Sequence, residues 1–93
     1  MIISFRCKHT QKLFERSAIA ARWREIAPVA LRKLNYLHSV GKLEDLRVPP
    51  SNHLEKLKGD RKNQYSIRIN KKWRLCFEFE DGKAINVEIV DYH

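Results

Sequence analysis

The sequence predicts an α+β domain in which two helices pack on one face of a twisted antiparallel sheet. Three observations lead there. Apolar residues recur at helical spacing from Ile26 to Val40, and the period falls to two from Tyr65 onward. Between the two regimes stand Pro49 and Pro50, and tandem prolines continue neither a helix nor a central strand. The 93 residues suit a single domain over 1–93, with a core large enough to fold alone and little to spare.

The elements follow in order. Ile2, Ile3 and Phe5 make the first six residues an N-terminal strand. Thr10 is placed to cap a short helix carrying Leu13 and Phe14. A longer helix has Pro28 in its first turn, and Ile26, Ala30, Leu31, Leu34, Leu37 and Val40 fall on one stripe. Gly41 is placed to stop it, and Arg32 and Lys33 turn outward to solvent. The segment 48–52 breaks the chain. Tyr65, Ile67 and Ile69 then alternate with Ser66, Arg68 and Asn70, and Leu75, Phe77 and Phe79 with Cys76, Glu78 and Glu80. Asn70-Lys71-Lys72 and Asp81-Gly82 read as hairpin turns, and Ile85, Val87 and Ile89 supply the last strand. The order is a strand, two helices and an antiparallel β-meander, with the helices on one sheet face.

Composition narrows the class. A hydrophobic fraction of 43% and a charged fraction of 32% suit a globular chain. Its apolar runs fall far short of the roughly 20 residues of a membrane span, and the N-terminus lacks the order of a secretory signal. Cys7 and Cys76 form no CxxC pair and sit in apolar segments, which points to reduced, buried thiols rather than a disulfide or metal site. A cytoplasmic protein with no cofactor and no metal is expected.

Charge supplies the functional lead. Residues 56–74 hold eight basic side chains (Lys56, Lys58, Arg61, Lys62, Arg68, Lys71, Lys72, Arg74) against one acid, Asp60, which is +7 of the chain's net +8. With Tyr65 and Trp73 interleaved, the strip suits a partner made of phosphates and bases, and RNA above all. It lies in a strand-like region rather than on an amphipathic helix, which argues against a membrane partner. Alternation turns Arg68 and Arg74 off the apolar face, where two guanidiniums, with Lys58 and Arg61 before them, form a candidate phosphate clamp. Tyr65, Trp73 and Tyr92 are candidates for base stacking, with Trp73 better explained as a core aromatic.

A basic face alone only binds. Cleaving RNA without a metal requires a group to deprotonate the 2′-hydroxyl, cations for the phosphorane and an acid for the leaving oxygen. The candidates are His53, Glu55, Lys58, Asp91, Tyr92 and His93. No metal-ligand spacing, Walker loop or GxSxG occurs, so a metal-free, substrate-assisted mechanism is the enzyme class left open. On composition and spacing alone, nuclease and simple binder stand level.

Pro49-Pro50, Leu54-Glu55-Lys56-Leu57-Lys58-Gly59-Asp60-Arg61, residues 64–70, Trp73-Arg74-Leu75-Cys76-Phe77 and residues 87–93 run in register. Together they resemble the HigB toxins of the RelE/ParE superfamily of toxin–antitoxin systems. The resemblance covers the second half segment by segment and the first half in outline. It implies a toxin that enters the A site of the 70S ribosome and cuts mRNA there. It also implies a HigA-like helix-turn-helix antitoxin, through which the pair contacts operator DNA and represses its own operon. By the same resemblance, Lys58 and Arg74 bind and polarise the scissile phosphate, and Tyr92 orients or stacks the substrate. His93 serves as general acid or base beside Asp91. Arg61 and Arg68, with Lys56, Lys71 and Lys72 of the basic strip, are assigned to RNA phosphates. Some HigB-like sequences have a His where this chain has Glu55. His53, two residues earlier, is expected to point the same way along an extended chain, so the proton acceptor stays open among Glu55, His53 and His93.

Two competing readings remain at this level. A ParE-like inhibitor of DNA gyrase shares the fold without nuclease activity, but has no need of a phosphate clamp with a terminal Tyr-His. A non-catalytic nucleic-acid-binding module is permitted by the charge pattern alone.

Overall fold

The computed structural model describes residues 1–91; the Tyr92 and His93 assignments lie outside the described residues. Helix α1 (Lys8–Phe14) and helix α2 (Ala27–Ser39) are followed by strands β1 (Glu55–Lys56), β2 (Tyr65–Arg68), β3 (Trp73–Glu80) and β4 (Lys83–Asp91). The four strands form one sheet in the order β1-β2-β3-β4, every neighbour antiparallel. The predicted α+β meander is therefore the observed one.

The alternating apolar residues make the core. Ile67, Leu75, Phe77 and Val87 are fully buried with Ala30, Leu34 and Leu37 of α2 and Trp23 from a 3₁₀ turn, Ala21–Trp23. Each large aliphatic side chain buried in this way contributes roughly 1.5–3 kcal/mol. Leu31, at the margin of the predicted stripe, is only half-buried, and Ala27 joins the buried face. Trp73 packs edge-to-face on Trp23 with ring centroids 6.1 Å apart, the core-aromatic role expected of it. Tyr65 lies half-buried against Phe77. Asp81 and Gly82 both take positive φ (52° and 76°), the geometry that a two-residue hairpin turn demands.

Several local expectations are corrected. Residues 1–6 run parallel to β4 but form two isolated bridges, Ile2 with Ala84 and Phe5 with Val87, rather than a continuous strand. The reason is a bulge in β4. Cys76 pairs with Glu88 and Glu78 with Ile85, so β4 carries one extra residue there, and Asn86 sits at φ 54°. The bulge also shifts the alternation. Ala84, Val87 and Ile89 are buried, while Ile85, expected to alternate in phase with them, is half-buried opposite Glu78. Thr10 does not cap α1: the cap residue is Cys7, and Thr10 is fully buried, its Oγ1 accepting the Ile89 N–H at 3.1 Å. An outer-edge donor of β4 needs an acceptor, and Thr10 supplies it. α2 ends at Ser39 with extended Val40 as its cap, and Gly41 does not adopt the positive φ of a helix-stopping glycine. Cys7 is half-buried rather than buried.

Lys33 was expected in solvent and is instead structural. Its Nζ donates to Oδ1 of Asn52, and burial followed by the neighbouring Arg32 charge pushes its pKa down. Asn52 is fully buried, and its Nδ2 donates to the carbonyls of Leu46 (3.1 Å) and Val48 (3.3 Å). One amide thus ties α2 to the proline break, and the break delivers the chain to β1. Asn52→Ala removes the acceptor of Lys33 and the donor to the Leu46 carbonyl, while the Val48 carbonyl keeps the Tyr36 hydroxyl at 2.8 Å. The expected loss is about 2 kcal/mol, or roughly 10 °C or more in Tm for a domain of this size, read by thermal denaturation. An unchanged Tm would remove Asn52 from this role.

Candidate active site

Ser66, Arg68, Arg74 and Cys76 share the sheet face that the helices leave open, because they alternate with the core residues Ile67, Leu75 and Phe77. Arg68 and Arg74 stand directly opposite each other across β2 and β3, as the alternation required. They differ in how they are held.

Arg74 is not a freely swinging cation. Its Nε donates to Ser66 Oγ at 2.7 Å, and its Nη2 donates to the His53 carbonyl at 2.5 Å and the Ser66 carbonyl at 3.4 Å. Its side chain is 12% exposed, and the Glu55 carboxylate lies 3.8 Å from Nη2. The guanidinium is thus oriented before any ligand arrives. Arg68, half-buried opposite it, has no side-chain hydrogen bond or ion pair among the described residues. Facing a second fixed cation at close range, it favours an anion between or above the two.

The approach to β1 decides what His53 can do. Pro50–Asn52 form a 3₁₀ turn, and His53 closes it in the left-handed region, φ 44° and ψ 56°. The chain at His53 is therefore not extended, and the expectation that its side chain parallels Glu55 fails. What His53 contributes in this structure is its carbonyl, which Arg74 reads. Glu55 is the candidate proton acceptor that the structure brings to Arg74.

Lys58 lies beyond β1, where a short 3₁₀ turn, Gly59–Arg61, reverses the chain with Gly59 at φ 65°. A shallow hollow of about 570 Å³ follows this loop, lined by Lys56, Leu57, Lys58, Gly59, Lys62 and Asn63. Lys56, Lys58 and Lys62 are exposed, and no acid lines the hollow. Lys58 thus stands on an exposed basic loop and shares none of the partners that hold Arg74.

Arg61, expected to meet RNA phosphates, is already engaged. Its Nη1 donates to Glu88 Oε2 at 3.1 Å and Gln64 Oε1 at 3.0 Å. Arg6 joins them, its Nε 3.5 Å from Glu88 and its Nη2 3.7 Å from Glu78. Lys72 is drawn toward Asp91 at 3.9 Å and lies over the Trp73 ring, 5.2 Å from its centroid. Lys71 is exposed. Asp91 pairs across the ladder with Trp73, one residue from Arg74. Ser66, Glu88 and Arg6 were missed by sequence reasoning. For Glu88 a signal existed: an acid at the polar phase of an otherwise apolar strand, in a chain rich in cations.

Comparison with known proteins bears on this arrangement. The family model described as the RelE-like toxin of type II toxin-antitoxin system HigB matches residues 3–93. The chain belongs to this HigB-like toxin family. It is 47% identical over 55 residues to Toxin HigB-1 of Vibrio cholerae serotype O1; the alignment spans 59% of this chain and 58% of that protein, a little over half its length. It is 31% identical to Endoribonuclease HigB of Proteus vulgaris over a 96-residue alignment covering 100% of both chains. Its fold is similar to the solved structure of a YafQ variant from E. coli, with a TM-score of 0.60, 16% identity and coverage of 98% and 91% of the two chains. At that identity the likeness is one of fold. The RelE-like architecture expected of a HigB-like chain is the one observed.

Among the described residues, no group of three or more His, Cys, Asp or Glu side chains is arranged to hold a metal ion, and no helix is long and apolar enough to cross a membrane. Cys76, between these arginines on the open face, is fully buried, and burial pushes its thiol up to about 11. Arg61 and Arg74 oppose that rise and Glu88 adds to it. It is a neutral thiol at physiological pH and no nucleophile. Because the folded thiol ionises above a free one, its share of stability is complete below the free-thiol pKa and is lost as the pH rises through about 11. At pH 8, iodoacetamide is expected to leave Cys76 unmodified in the native protein and to alkylate it in guanidinium. Mass spectrometry of the Cys76 peptide checks this, and equal modification in both states would contradict the burial.

Proposed function

We propose that this chain is the toxin of a type II toxin–antitoxin pair and that it cleaves mRNA in the ribosomal A site by metal-free transphosphorylation. In that reaction the 2′-hydroxyl attacks the adjacent phosphorus and the 5′-oxygen leaves, giving a 2′,3′-cyclic phosphate and a 5′-hydroxyl. The observation that carries the reading is Arg74, whose side chain is 12% exposed and whose guanidinium is oriented by Ser66 and the His53 carbonyl, 3.8 Å from the Glu55 carboxylate. A pre-oriented cation beside a carboxylate is what phosphorane stabilisation with proton transfer requires. Family membership and the name of the Proteus relative support it.

Arg74 and Lys58 neutralise charge as it builds on the non-bridging oxygens. Arg68 and the lysines Lys56, Lys71 and Lys72 hold flanking phosphates. Glu55 accepts the 2′-hydroxyl proton, and His93, beside Asp91, protonates the leaving oxygen, with Tyr92 orienting the substrate. The antitoxin is a HigA-like helix-turn-helix protein with an acidic segment over residues 56–74, and through it the pair represses its own operon. The cytoplasm, where ribosomes translate, is the proposed site of action.

The test is purified protein added to ribosomes translating a defined mRNA, with 5′ ends mapped by primer extension. New ends within A-site codons are expected, absent on naked RNA. They should fall by roughly 10²-fold or more with Arg74→Ala and vanish when Tyr92 and His93 are removed. Arg74→Lys is not expected to rescue, because an ammonium lacks the fork that Ser66 and His53 engage. No new ends, together with an SOS response on expression, would replace this reading with gyrase inhibition.

A further inference from the structure

We infer that Glu88 is a positioning residue for the proposed RNA-cleaving site, holding the loop that carries Lys58 against the sheet through Arg61. The inference rests on the nuclease reading and adds to it a residue that does not touch RNA.

The loop 57–64 closes at its base. Leu57 N–H donates to the Gln64 carbonyl at 2.9 Å, and Gln64 N–H donates to the Arg61 carbonyl at 2.8 Å. Leu57 and Gln64 are its buried residues, while Lys58, Gly59, Asp60, Lys62 and Asn63 are exposed. One short apolar side chain is a weak anchor for eight residues, and the exposed lysines repel one another. Among the described residues, the ion pair joining this loop to β4 is Arg61 to Glu88 at 3.1 Å.

Glu88 is suited to the task. It faces Cys76 across the β3–β4 ladder, on the open face of the sheet, and its side chain is 13% exposed. Arg6, from the N-terminal segment, braces the same carboxylate oxygen from 3.5 Å. Arg61 is meanwhile fixed at Gln64. A carboxylate amid cations that meet a polyanion works against affinity, so what Glu88 contributes is geometry. This gives the inference a signature that a contact residue lacks. Removing Glu88 takes away repulsion toward RNA and also frees the loop, so binding and turnover move apart.

The experiment uses the full chain in the ribosome-programmed cleavage assay, with hydrogen exchange of the free protein alongside. Glu88→Ala is expected to lower kcat about ten- to a hundredfold, with KM unchanged or lower. Glu88→Gln, which keeps an acceptor oxygen, should retain a larger share of kcat. Arg61→Gln should lower kcat similarly, and the double variant should be no worse than either single one. In free Glu88→Ala, the amides of Leu57 and Gln64 should exchange faster, while those of Leu75 and Phe77 keep wild-type rates. Wild-type kcat in Glu88→Ala, losses that multiply in the double variant, or unchanged exchange at Leu57 and Gln64 would each overturn the inference. If the wild-type protein cleaves nothing, the nuclease reading falls with it, and the exchange result still reports separately whether Glu88 holds the loop.

Discussion

The β3–β4 ladder is the constraint on which the rest of the molecule depends. It is the longest pairing in the chain, running from Trp73 opposite Asp91 to Glu80 opposite Lys83. One face of it supplies Leu75, Phe77 and Val87 to the core, and the other carries Arg74, Cys76 and Glu88. Because side chains alternate with a period of two, the register that turns the first set into the core turns the second to the open face. A one-residue slip would bury the arginine and expose the leucine. Apolar burial and the candidate chemistry are thus enforced by the same hydrogen bonds.

The bulge at Asn86 is the deliberate exception. It takes up one extra residue of β4, and its positive φ is tolerated by asparagine better than by most side chains. Asn86 N–H donates to Ser4 Oγ and its Nδ2 to Glu78 at 2.8 Å, so the irregular backbone is tied to both neighbours. Met1 to Arg6 then cover the outer edge of β4, leaving no long unpaired strand there. Arg6, at the end of this cover, reaches the carboxylate of Glu88. The N-terminus and the basic loop thereby meet on one acid.

Charge on the open face is arranged unevenly, and burial explains why. The Lys72–Asp91 contact is exposed on both sides and contributes little to stability. Arg74 and Glu88 are mostly shielded from water, at 12% and 13% exposure, so each must keep polar partners to offset its lost hydration. Those partners also fix direction. A cation that already has its orientation loses less entropy on meeting a phosphate than a mobile lysine does. The +7 strip is therefore uneven: Arg61 and Arg74 are held by carboxylate, hydroxyl or carbonyl partners, Arg68 is half-buried without a side-chain partner among the described residues, and the lysines are exposed.

Much of this was legible beforehand. The period change, the proline break, the Asp81-Gly82 turn and the outward phase of Arg68 and Arg74 depend on local sequence, and the architecture followed from them. Thr10, Lys33 and Ile85 were misread for one shared reason: each looked settled by its neighbours in sequence and was settled by a partner far along the chain or by the bulge. The His53 expectation failed likewise, because it assumed extended backbone where the residue turns left-handed.

By itself, then, the sequence determined the two helices, the β2–β4 meander, their order, the face most apolar residues seek and the concentration of positive charge, since periodicity and composition act within a few residues. Only the tertiary structure decided which cations are held and by what. Ser66 lies eight residues from Arg74, His53 twenty-one and Glu88 twenty-seven from Arg61. Hydrogen bonds over such separations exist only once the sheet has brought the strands together.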